Sequence, residues 1–131
     1  MAPAIHPCCL VVEDQTLIAM VLEATLEDAG IPVVGLFTSC ADALAWTEDS
    51  TPSIAVLDYK LKDGPCTDLA KVLLAWGVPV IIYSGLPQSH DTAPELRGVI
   101  WLEKPLPRGD LLHVIQTHAP ALSRRPEITD A

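Results

Sequence analysis

Basic residues are scarce in this chain: eight Lys and Arg stand against seventeen Asp and Glu, a formal net charge of −9. A phosphate backbone would be repelled by most of such a surface, which argues against direct nucleic-acid binding. Long apolar runs are also missing. No stretch approaches the ~20 residues needed to cross a bilayer. Residues 1–10 lack the basic start and long apolar centre of a signal peptide, so the expectation is a cytoplasmic protein with no membrane partner. Cysteine occurs four times, as Cys8, Cys9, Cys40 and Cys66, with no C-x-x-C spacing. Buried or incidental thiols are expected, with a structural zinc site as the remote alternative. Charged residues are only 19% against 50% hydrophobic, so the 131 residues should fold, and they amount to one domain with no internal repeat.

Strand-length apolar runs alternate with stretches of helical period, the pattern of βαβ units in a parallel sheet. The first strand is predicted at Cys8–Val12. A helix follows whose Leu17, Ile18, Val21, Leu22 and Leu26 form the apolar stripe, with Glu23, Glu27 and Asp28 on the wet face and Gly30 as the stop. The second strand covers Val33–Phe37, and Ser39 with Asp42 resembles a capping box opening a helix toward Asp49. Ile54–Leu57 is a continuous apolar third strand, covered on both faces. A helix over Thr67–Trp76 closes at Gly77, and Val80–Tyr83 is the fourth strand.

From Leu86 to Arg97, Pro87 and Pro94 interrupt any long helix, so at most a short one fits. Val99–Leu102 makes the fifth strand, Lys104-Pro105 breaks it, and Leu111, Leu112, Val114 and Ile115 suit a closing helix. The expected organisation is an N-terminal extension over 1–6, a domain over 7–118 and a flexible tail over 119–131, with no attached output domain.

Ligands in such α/β sheets bind at the carboxyl ends of the strands. Those ends carry Glu13 and Asp14 after strand one, Asp58 after strand three, Ser84 after strand four and Lys104 after strand five. Three carboxylates converging on one crevice suppress one another's ionisation unless a cation is present, and an all-oxygen set suits Mg²⁺. Lys104 and Ser84 supply the charge and the hydroxyl needed around a transferring phosphoryl group, with Asp58 as nucleophile. Taken singly, each residue also has a plain structural use. Glu13 and Asp14 could cap the first helix, Asp58 and Ser84 could be turn residues, and Lys104 could be a solvated strand-end charge. His6, His90, His113 and His118 are scattered and are assigned no chemistry.

Val11-Val12-Glu13-Asp14, Val56-Leu57-Asp58, Tyr83-Ser84-Gly85 and Lys104-Pro105, in this order and each at a strand end, resemble the receiver domain of two-component response regulators over nearly all of residues 7–118. The resemblance implies a flavodoxin-like (βα)5 fold: a doubly wound parallel five-stranded sheet of order 2-1-3-4-5, here with a shortened or irregular fourth helix. It makes Asp58 the phosphoacceptor, Asp14 a direct Mg²⁺ ligand, Glu13 a ligand through water and the Lys60 carbonyl a further ligand. Ser84 would hydrogen-bond the phosphoryl group and Lys104 would pair with it. Trp101 stands at the aromatic switch position, usually Tyr or Phe, and Lys62 where the family commonly has a proline. The implied donor is a sensor histidine kinase or a histidine phosphotransfer protein. A downstream protein of unknown identity would receive the signal, a homodimer is left open, and a relay or phosphate sink is an equal use. The chemistry would be self-phosphorylation and self-dephosphorylation, a switch more than a metabolic enzyme. Two other classes compete: an unphosphorylated binding module with the same fold, and a small phosphohydrolase. The latter is remote, because Lys60 occupies the place of the usual second Asp.

Overall fold

The computed structural model describes residues 2–88 and 94–119. Five parallel strands, β1 (Ile5–Val12), β2 (Val33–Phe37), β3 (Thr51–Leu57), β4 (Val80–Ser84) and β5 (Ile100–Glu103), form one sheet in the order β2-β1-β3-β4-β5. The helices are α1 (Thr16–Asp28), α2 (Cys40–Trp46), α3 (Thr67–Ala75) and α4 (Arg108–His118). The parallel sheet is the one expected from the alternating pattern, and its order is the flavodoxin-like doubly wound arrangement that the receiver resemblance implies.

The period-two alternation of the strands divides the core into two layers. Leu10, Val12, Ala55, Leu57, Val80 and Ile82 pack with Leu69, Ala70 and Leu73 of α3 and Cys40 and Ala43 of α2. Their neighbours Cys9, Val11, Ile54, Val56, Ile81 and Tyr83 face the other way, against Leu22 and Leu26 of α1 and Leu111 and Ile115 of α4. Each fully buried Leu or Ile contributes about 1.5–3 kcal/mol. Cys8, Cys9, Cys40 and Cys66 are all buried free thiols. Burial pushes Cys9 and Cys66 up to about 12, and Cys8 and Cys40 to about 11. No helix among the described residues is long and apolar enough to cross a membrane.

Gly30 and Gly77 end α1 and α3 at positive φ, 78° and 76°. The N–H of Ile31 returns to the carbonyl of Leu26, and that of Val78 to Leu73, so each helix closes on its own last turn. Ser39 caps α2, its hydroxyl accepting the Asp42 N–H at 3.2 Å. That helix stops at Trp46, short of Asp49, where the Thr47 hydroxyl donates to the Leu44 carbonyl.

Two readings of the sequence need correction. First, β1 begins at Ile5 rather than Cys8. Ile5 and His6 pair with Thr51 and Pro52, and Thr51 donates to the carbonyls of Ala4 and Pro3. Pro7 is tolerated because pairing with β2 starts only at Cys9, which leaves one side of the strand there without a ladder partner. Second, the α1 stripe is rotated: Ala19, Leu22, Thr25 and Leu26 are buried, whereas Leu17 and Val21 are 76% and 45% exposed, as is Met20 at 56%. Residues 17–22 are apolar all round, so periodicity could not choose a face.

Between β4 and β5 the described residues hold one short 3-10 turn, Pro94–Leu96, with Leu96 buried against α3. Residues 89–93 of that segment and residues 120–131 of the expected tail lie outside the described residues.

Candidate phosphoryl-transfer site

Backbone hydrogen bonds draw the carboxyl ends of the strands together. Asp58 N–H donates to the Val12 carbonyl at 2.9 Å, Glu13 N–H to Phe37 at 2.9 Å, and Lys104 N–H to Ser84 at 2.8 Å. Glu13, Asp14 and Asp58 thereby each offer a carboxylate oxygen within 4.8 Å of one another. Lys104 closes the group, its Nζ lying 2.6 Å from Glu13 and 3.1 Å from Asp58.

The burial of these groups is uneven. Glu13 is 2% exposed and Asp58 is 7% exposed. Burial is the main force raising the Glu13 carboxyl above its ordinary range; the Lys104 and Gln15 hydrogen bonds oppose it, and the Asp58 charge adds to it. For Lys104 burial works against the ammonium, but its bonds and charges with Glu13 and Asp58 outweigh it and the pKa is raised. At Glu13 desolvation thus outweighs the carboxylate repulsion anticipated from sequence.

The three carboxylates suit a hard divalent cation, being all oxygen and clustered at one rim. Asp14 is half-buried, and none of the described residues hydrogen-bonds or ion-pairs with its carboxylate. Glu13, by contrast, is engaged on both oxygens, Oε1 by Lys104 and Oε2 by the Gln15 N–H at 3.1 Å. Neither residue lies in the first turn of α1, whose N-cap is Gln15, so neither acts as its cap.

Asp58, Lys60, Ser84 and Lys104 line one open cleft of about 300 Å³ with Gln15, Gly85 and Leu86. Ser84 is buried, and its Oγ accepts the Leu86 N–H at 3.1 Å. Lys60 lies on a small hairpin formed by Lys60–Leu61 and Gly64–Pro65. Trp101 stands beside the cleft, its ring 5.1 Å from that of Tyr59 and its Nε1 donating to the Leu86 carbonyl at 2.8 Å. It therefore bridges the residue after Asp58 and the loop after Ser84.

Gln15 was not singled out from the sequence. It occupies an N-cap position that Ser, Thr, Asp or Asn would fill better, makes no side-chain cap, and reaches instead to 3.5 Å from Lys104 Nζ. A poor capping residue beside the acidic pair was the available signal. Tyr59 gave none, because its ring partner Trp101 is distant in sequence.

Comparison with known proteins identifies the family and the fold. The family model for the response regulator receiver domain matches residues 9–116. The phyllosphere-induced regulator PhyR of Methylorubrum extorquens is 31% identical over 109 residues, covering 81% of this chain but only 41% of PhyR, so the chain spans about two fifths of that relative. A CheY-like receiver domain protein from Methanospirillum hungatei superposes with a TM-score of 0.78 at 25% identity, over 90% of this chain and 96% of that one. SdrG from Sphingomonas melonis is 32% identical, with a TM-score of 0.70 over 86% of this chain and 95% of its own. The chain belongs to the receiver domain family of response regulators.

Proposed function

We propose that this receiver is a phosphoacceptor: Asp58 takes a phosphoryl group from a phosphohistidine on a sensor histidine kinase or a histidine phosphotransfer protein, with Mg²⁺ as cofactor. The observation carrying this reading is the nearly buried Asp58 carboxylate, 3.1 Å from Lys104 and clustered with Glu13 and Asp14. Asp58 attacks phosphorus, the P–N bond breaks, and an acyl phosphate forms. Lys104, already beside Asp58, pairs with the incoming charge, and Ser84 turns its hydroxyl from Leu86 to a phosphoryl oxygen. Asp14, Asp58 and the Lys60 carbonyl would hold the ion, with Glu13 reaching it through water. The ion would neutralise charge on the transferring group.

The donor protein needs a landing surface, and exposed Leu17 and Val21 on α1, which line an apolar groove together with Lys104, and Leu86 on the rim of the cleft supply apolar contact. The output passes through protein contacts to a downstream partner, or the chain serves as a relay or phosphate sink. Similarity to the regulator PhyR and to the receiver family supports a signalling role over a metabolic one.

One observation favours a second reading, an unphosphorylated binding module. The 2.6 Å Lys104–Glu13 pair already offsets one of the three clustered carboxylates without any metal ion. Incubation with acetyl phosphate separates the two. With Mg²⁺, intact mass should show one added phosphoryl group on the wild type and none on Asp58→Asn. An unmodified wild type, or equal labelling of the variant, favours the binding module or another acceptor.

A further inference from the structure

We propose that Asp63 is a positioning residue for the metal site, acting as a clasp between the loop after the phosphoacceptor and the start of α2. This rests on the reading that the cleft holds Mg²⁺ with help from the Lys60 carbonyl. Asp63 sits in the two-residue turn of the hairpin that carries Lys60. A turn aspartate ordinarily bonds to its own backbone nearby. Here both carboxylate oxygens reach across the chain, Oδ1 accepting the Cys40 N–H and Oδ2 the Ala41 N–H, each at 3.1 Å.

Those N–H groups are the first two of α2, which have no partner within the helix. Ser39 takes the third, that of Asp42, so the helix is capped once from its own side and once from the hairpin. The Cys40 thiol adds a contact to the Pro65 carbonyl at 3.6 Å. At its base the hairpin is closed by the Cys66 N–H on the Tyr59 carbonyl at 2.7 Å, and Leu61 is buried in the core. Its tip is held to the rest of the molecule by Asp63. Freeing the tip lets the peptide two residues after Asp58 wander, and with it the carbonyl offered to the ion.

A purely structural cap and a positioning clasp differ in what they move. Ser39→Ala removes the other cap of the same helix without touching the hairpin, and so serves as the control. Calorimetric Mg²⁺ titration should show Asp63→Ala weakened roughly tenfold, the scale of losing a residue that orients a metal ligand, with Ser39→Ala near wild type. Asp63→Asn, which keeps one acceptor oxygen, should fall between and provides the measurement if the alanine variant does not fold. In acetyl phosphate labelling, Asp63→Ala should need more Mg²⁺ for half-maximal rate yet approach the wild-type rate at saturation. Equal Mg²⁺ affinity in wild type, Asp63→Ala and Asp63→Asn, or an equal loss in Ser39→Ala, overturns the clasp alone, since wild-type binding would still stand. A wild type that binds no Mg²⁺ overturns both the clasp and the metal site beneath it.

Discussion

Glu13 and Lys104 are the tightest interdependent pair in the cleft, and their energetics can be separated by pH. Removing one partner of a buried ion pair leaves an uncompensated charge and costs on the order of 3 kcal/mol. Lys104→Ala should therefore destabilise the protein near neutral pH. Because the folded-state pKa of Glu13 already lies above the ordinary 4.5, the stability it contributes is complete below that value and is lost as pH rises through the folded value. Losing Lys104 removes an opposing pull and raises the Glu13 pKa further. The variant's deficit in melting temperature should thus shrink as pH falls toward 4.5; a deficit independent of pH would mean Glu13 is not the residue left exposed to the loss. At this scale the sequence was informative because Glu13, Asp14, Asp58, Ser84 and Lys104 all fall at strand ends, where strand topology alone selects them. The order of burial between Glu13 and Asp14 was not legible, since neighbours leaving one strand differ by a turn of backbone that no residue type announces.

At the scale of elements, α1 tests the corrected packing. Leu22→Ala should cost about 2–5 kcal/mol, as for a fully buried Leu, whereas Leu17→Ala should stay within about 0.5 kcal/mol, measured by denaturant unfolding. Comparable losses would return Leu17 to the core. Leu17→Glu should further slow phosphotransfer from a histidine-phosphorylated protein while sparing labelling by acetyl phosphate, because only the former needs a docking face. Equal rates from the protein donor would place docking elsewhere. The central strands were readable from sequence because burial on both faces demands unbroken apolar runs, as in Ile54–Leu57. The early start of β1 was hidden by Pro7, which signals a break unless the strand's one-sided pairing there is known. The hairpin around Lys60 escaped because two-residue strands have no period to detect. The grip of Asp63 on α2 escaped because its partners lie more than twenty residues upstream.

For the whole molecule, a cation that binds only the native state must stabilise it by mass action. Mg²⁺ at a hundred times its dissociation constant should add about 2.7 kcal/mol, seen as a rise in melting temperature that Asp14→Ala reduces. Melting curves indifferent to Mg²⁺ would count against the acidic cluster as a metal site. Signal transmission is tested through Trp101, which touches Tyr59 and holds the Leu86 carbonyl. With Trp46 and Trp76 replaced by Phe, beryllium fluoride and Mg²⁺ should shift its emission, because drawing Ser84 inward must disturb Leu86. Fixed emission despite normal phosphorylation would favour the relay or sink role. The function of the cleft turns on where the phosphoryl group goes, and an acyl phosphate can be located chemically. Borohydride reduces phosphoaspartate to homoserine, so wild-type protein treated with acetyl phosphate and Mg²⁺, then borohydride, should yield on peptide mass mapping a homoserine at position 58 and nowhere else. Homoserine at another carboxylate, or none in a protein that binds Mg²⁺ normally, would contradict the assignment of Asp58.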